Sequence, residues 1–169
     1  SSLNGGGEAL AIFVNDKYHY RDKKNLLPKN TAQKINSFLS TLRAKRSEEY
    51  IFSFDISDKQ KCFVIKVKNK FESYWPQENG GSFFSYLKKF QGIKKIDLYP
   101  GSLDFDKEKL VSFFSQFIFG FNLKSYRFNK YKTLNTEKIN QKIDFKIITK
   151  NKEKIEKEYK YYNAIKEGV

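Results

Sequence analysis

The chain has 169 residues, 39% of them hydrophobic and 17% aromatic, with 17 Phe and 11 Tyr. That is the length of one domain, with too much apolar mass for a disordered segment even at 31% charged residues. Lys and Arg total 33 against 19 acidic residues, a net charge of +14, and no apolar run approaches the roughly 20 residues of a bilayer-spanning helix.

Residues Ser1 to Gly7 are small and polar with no basic start, so they read as a flexible tail or a cloning scar rather than a secretory signal. Ala9 to Val14 is an apolar run of strand length, the pattern of a strand covered on both faces. Asn15-Asp16 supplies turn chemistry after it. From Thr31 to Ala44 the spacing of Ile35, Phe38, Leu39 and Leu42 predicts a helix, with Asn30 or Thr31 placed to cap it. Tyr50 to Phe54 and Phe63 to Val67 read as two strands, joined through Asp55 to Gln60 by a link of hairpin length. Asn79-Gly80-Gly81 then opens a helix predicted over Ser82 to Phe90, with Gly92 just beyond its end. Ile93 to Tyr99 is a strand stopped by Pro100-Gly101. A third helix, from about Asp106 to Leu123, carries a broad stripe of Leu110, Phe113, Phe114, Phe117 and Phe121. A last strand, Ile143 to Thr149, leads into a Lys/Glu-rich helix with Ile155, Tyr159, Tyr162 and Ile165 on one side. This alternation predicts an α/β domain, a mixed sheet flanked by helices on both faces.

Little in the chain carries chemistry. Cys62 is the sole cysteine, so no internal disulfide can form; within Lys61-Cys62-Phe63-Val64-Ile65 it reads as a buried thiol in a reducing compartment. One cysteine and one histidine, His19, fall short of the ligands a structural zinc needs. A serine triad would have to use His19, and no Gly-x-Ser-x-Gly elbow occurs. Asp104 and Asp106 are the nearest acidic pair, read as complements to a helix start. Asn79-Gly80-Gly81-Ser82 is the best candidate for a phosphate-cradling loop. Lys66 and Lys68 alternate with Ile65 and Val67 and would line cations along one strand face, where nearby aromatics could stack on bases. The company of Asn, Ile, Phe and Tyr also matches AT-rich coding, which needs no polyanionic partner.

Gly120, Leu123, Tyr126, Phe128, Tyr131 and Lys132 have a spacing of their own. It resembles Gly-x-x-Leu-Gly-x-Tyr-x-Phe-Asp-x-Tyr-Lys, through which a helix exits near the end of the N-terminal domain in the leucine aminopeptidase (cytosol aminopeptidase) family. Lys124 stands for the second glycine of that pattern and Asn129 for its aspartate. Ala164 to Val169 resembles the start of the family's interdomain segment, and Lys66-Val67-Lys68-Asn69 stands where the family commonly has Gly-Leu-Gly.

The resemblance implies that residues 9–150 are a non-catalytic, macro-domain-like α/β domain. Residues 151–169 would be a connector helix whose exposed Tyr159, Tyr162 and Ile165 face a missing catalytic domain. The Asn-Thr-Asp-Ala-Glu-Gly-Arg motif and two zinc or manganese ions would belong to that domain. No residue of this chain is accordingly assigned a catalytic, cofactor-binding or metal-binding role. The implied parent removes N-terminal amino acids from peptides, as a hexamer in the cytoplasm with no membrane partner. Two alternatives stand beside this expectation: a basic nucleic-acid-binding module, and a macro-type module holding ADP-ribose near Asn79 to Ser82.

Overall fold

A computed structural model describes residues 9–22, 26–100, 103–132, 143–149 and 152–166. The chain divides into two compact units, one built on a sheet and one on helices. The sheet unit takes in the described residues of 9–70, 93–104 and 143–149, and the helical unit those of 71–92, 105–132 and 152–166.

Five strands form the sheet: β1 (Ala9–Val14), β2 (Ile51–Ser57), β3 (Gln60–Lys66), β4 (Lys95–Tyr99) and β5 (Asp144–Ile147). Their order across it is β2-β3-β1-β4-β5. β1 lies parallel to both β3 and β4, β4 parallel to β5, and only β2 runs antiparallel, in a hairpin with β3. The continuous apolar pattern of β1 corresponds to burial of all its residues, on both faces. The hairpin turns at Asp58-Lys59, tighter than the sequence link implied, and a register shift between Asp55 and Ser57 twists its edge. Helix α1 (Lys29–Lys45) packs Ile35, Leu39 and Leu42 onto Leu10, Ile12, Val14, Phe52, Cys62 and Val64. Neither Asn30 nor Thr31 caps it. The helix starts after Pro28, with no side-chain cap, and both residues lie in its first turn.

The helical unit contains α2 (Trp75–Leu87), α3 (Lys107–Lys132) and α4 (Lys152–Lys166). α2 begins about two turns before the predicted Ser82. Pro76 occupies the first turn, where its missing N–H costs nothing, and Asn79-Gly80-Gly81 is helix interior. The glycines are there for contact. A Cβ on Gly80 would lie 2.9 Å from the carbonyl carbon of Phe117, and one on Gly120 would lie 2.6 Å from Cα of Gln77. Two helices thus meet backbone to backbone at reciprocal glycine notches, which outweighs the intrinsic cost of glycine in a helix. Ring contacts climb together along both: Trp75 on Phe113, Phe83 on Phe117, Phe84 on Phe121 and Phe128. α2 and α3 therefore run parallel. Gly92 is no helix cap, since α2 ends at Leu87, but it uses its freedom at φ 84 in the following turn.

α3 starts as expected, with Asp106 Oδ1 accepting the N–H of Lys109 at 2.8 Å. It continues to Lys132, so the Gly120 to Lys132 stretch is helical throughout rather than a helix exit. α4 lies on α3. Ile155 is fully buried, Asn122 Nδ2 donates to the Tyr159 hydroxyl at 3.0 Å, and Tyr162 packs on Phe119. Tyr159 and Tyr162, expected to be exposed, are thereby engaged within the unit, while the Ile165 side chain lies outside the described residues. Among the described residues no helix is long and apolar enough to cross a membrane.

Candidate functional site: the carboxyl ends of the parallel strands

In open α/β sheets, ligands bind beyond the carboxyl ends of parallel strands. Here β1, β3, β4 and β5 end together at Val14, Lys66, Tyr99 and Ile147. The turn after β1 folds on Asn15, whose Oδ1 accepts the N–H groups of Lys17 (3.0 Å) and His19 (2.9 Å). Its carbonyl accepts the N–H of Tyr18 at 2.9 Å. Tyr18 takes the left-handed conformation, φ 59, and its buried ring meets Phe52 edge-on. The β3 exit is tied to the same turn: Val67 N–H donates to Val14 O at 2.8 Å, and Asn69 Nδ2 to Asp16 Oδ1 at 3.0 Å.

Lys66, the last residue of β3, turns inward. It is 9% exposed, with Nζ 3.3 Å from the Ser47 carbonyl and 3.4 Å from the Tyr18 hydroxyl. Its ammonium also lies over the Tyr18 and Tyr50 rings, at 5.2 and 4.7 Å. The Ser47 carbonyl follows the carboxyl end of α1, where the helix dipole favours a cation. Arg43 Nη1 holds the Tyr18 carbonyl at 3.0 Å and completes the packing. The expectation that Lys66 and Lys68 line a strand face thus fails. Lys66 is consumed internally, and Lys68, beyond the strand, lies over Tyr50 at 5.7 Å. At the ends of β1 and β3 the protein's own side chains and backbone are tied to one another.

The β4 side is polar. Asp22 accepts the N–H groups of Leu26 and Leu27, both at 3.0 Å. Burial, and then the charge of Asp22, push the Tyr20 phenol well above its ordinary range. Burial, followed by Asp97 and Asp22, does the same to Tyr99. Both phenols therefore stay protonated at neutral pH. Asp97, 6% exposed, has its carboxyl raised by burial, with Lys146 beside it in register on β5 pulling the other way. The Cys62 thiol is raised by burial and is inert. Among the described residues no three His, Cys, Asp or Glu side chains converge to hold a metal ion.

Sequence reasoning passed over Asp97, Tyr20 and Tyr99. The signal available was Asp97 as the one charge inside Ile96 to Tyr99. The residues it did single out are scattered. His19 is exposed and its N–H bonds Asn15; Asp104 faces Arg21 at 4.0 Å, both exposed; Asp106 caps α3. Asn79 to Ser82 cannot cradle a phosphate, because its N–H groups are committed to the interior of α2. Of the residues carrying the family resemblance, Tyr126 is exposed and Phe128 packs on Phe84, while the side chains of 129–132 lie outside the described residues.

The strand order and the hairpin at one edge define a mixed α/β fold of macrodomain type. No family profile and no curated protein matches the chain by sequence. Solved structures do match. A lysine-to-glutamate mutant of tomato leucine aminopeptidase superposes with a TM-score of 0.67 at 18% identity, over 98% of this chain and 34% of that one. The macrodomain of Thermus aquaticus DarG superposes with a TM-score of 0.56 at 11% identity, over 88% of this chain and 94% of that one. At these identities the likeness is one of fold. This chain spans about a third of the length of the aminopeptidase chain it matches.

Proposed function

We propose that this chain serves as the non-catalytic N-terminal domain of a leucine-aminopeptidase-like metallopeptidase, supporting its catalytic part and the assembly of its oligomer. One observation carries the reading: nearly the whole chain, 98%, superposes on just 34% of an aminopeptidase chain, as a module of a larger protein would. The hydrogen bonds that tie the strand ends together support it, since a scaffold needs rigidity there. On this reading peptide hydrolysis, and the two zinc or manganese ions that activate water for it, belong to the catalytic part in the cytoplasm.

Reading the gene downstream of the codon for Val169 tests the proposal. An open frame encoding a two-metal peptidase domain is expected, and a stop codon there overturns it. The purified chain is also expected to leave leucyl amide intact with added manganese or zinc; turnover above a metal-only control removes the non-catalytic assignment. A macro-type ligand module is the second reading, favoured by the 94% coverage of the DarG macrodomain. Calorimetric titration with ADP-ribose separates the two, and saturable binding would put the ligand module first.

A further inference from the structure

No Asp or Glu occurs from Asn79 to Ile96 or from Lys109 to Thr136. α2 and α3, running parallel, bring Gly80 to Lys88 of the first stretch beside Phe117 to Phe128 of the second. A Cβ on Gly81 would touch the Lys124 side chain at 3.7 Å, Lys88 Nζ lies 4.4 Å from the Phe128 ring centre, and Phe84 lies 5.6 Å from Phe128. Lys89 Nζ stands 4.8 Å over Tyr86, whose ring is 5.6 Å from Phe90. Lys88, Lys89, Lys124 and Arg127 are all exposed, and among the described residues none of the four makes an ion pair.

Coding bias does not account for this. A bias toward lysine adds cations everywhere but does not clear acids from one face. α4 shows the ordinary outcome, with Lys154, Lys157 and Lys160 interleaved with Glu153, Glu156 and Glu158. Where no carboxylate intervenes, the potentials of neighbouring cations add, and the surface attracts a polyanion. A membrane is the poorer fit. Of the exposed large hydrophobics among the described residues, Leu26, Tyr50, Tyr74 and Tyr161 belong to other segments and Tyr126 alone adjoins the cluster, so it offers little to insert between lipids. Half-buried rings beside cations suit bases and phosphates instead.

We infer that this face binds single-stranded nucleic acid, with Lys88, Lys89, Lys124 and Arg127 on phosphates and Tyr86, Phe90 and Phe128 beside the bases. The inference stands independently of the peptidase reading. Fluorescence anisotropy with a labelled oligothymidylate tests it on the whole chain. Saturable binding should weaken with salt, and four phosphate contacts at about 0.7 each set a log–log slope near ~3. The variant K88Q/K89Q/K124Q/R127Q should lose at least about tenfold in affinity at low salt and flatten that slope, with an unchanged melting temperature. Should it not fold, K124Q/R127Q reads the same effect at about half the slope change. The control K154Q/K157Q/K160Q removes three charges, against four, from the mixed face of α4 and should keep affinity within about twofold. Equal losses in both variants, absence of salt-dependent binding, tighter binding to duplex, or equal binding to phosphatidylserine vesicles would each overturn the inference.

Discussion

In the sheet unit, β1 is buried on both faces and each neighbour pairs with it residue by residue, so position is set by hydrogen-bond register among Ala, Leu, Ile, Phe and Val. In the helical unit no ladder joins the helices, and position is set by shape. Large rings (Phe83, Phe84, Phe113, Phe117, Phe121) fill the seam between α2 and α3, and Gly80 and Gly120 let the backbones approach. Backbone pairing tolerates many side chains so long as their period holds. A seam of rings closed by two glycines depends on a few particular volumes.

Mutations can break this contrast. Phe117→Ala should have the largest effect, a loss of about 4 kcal/mol in urea denaturation, because it empties a fully buried site touching Phe83, Phe113 and Phe114. Ile12→Val, in the fully buried centre of β1, should lose about 1 kcal/mol. A reversed order would sink the comparison. Next come the glycines. Gly80→Ala and Gly120→Ala should each cost about 3 kcal/mol, since the added Cβ meets backbone that cannot move aside. Gly81→Ala, whose Cβ would find only ordinary contacts at 3.7 Å, should instead gain up to about 1 kcal/mol from helix propensity. Equal effects at all three positions would remove the notch from the account.

Smaller effects sharpen the description of the sheet unit. The Asp97 carboxyl is raised by burial, so folding bears no charge cost while the group is protonated in both states. Stability falls as pH rises from the unfolded carboxyl value through the folded one, and it stays lowered at neutral pH. Asp97→Asn should therefore stabilise at pH 7 and do little at pH 3, as read by melting temperature. A gain of the same size at both values would place its origin elsewhere than the charge. Tyr20 and Tyr99, raised chiefly by burial, keep their contribution below the ordinary phenol value near ~10 and lose it above. An alkaline absorbance titration should show these two phenols ionising only as the protein unfolds. Tyr20→Phe and Tyr99→Phe should each remove part of that late step and slow the alkaline loss of stability.

Several elements were legible in the residues because they depend on local period. The six-residue run of β1 and the i, i+3, i+4, i+7 pattern of α1 each announced their element. Asp106 was read as the cap of α3 because capping needs just one side chain and a nearby N–H. The failures share a different cause. Asn79-Gly80-Gly81 has the composition of a loop, and a reader without the neighbouring helix assigns its glycines to a turn. Lys66 has the spacing of a solvent-facing cation, yet its ammonium finds the Ser47 carbonyl and two tyrosine rings contributed by distant segments. The polar group of Asp97, Tyr99, Tyr20 and Asp22 is spread over two stretches of chain and no motif links them.

By itself the sequence determined which segments become strands and helices, and the mixed α/β class they build, because hydrophobic period and turn chemistry act over a few residues. It also held the acid-free stretches that α2 and α3 share. Tertiary structure alone decided that those stretches lie side by side, that two glycines serve contact rather than turning, and that a lysine at a strand end is bonded inside the fold. Each of these depends on atoms dozens of residues apart in the chain, where distance is set by packing and not by sequence spacing.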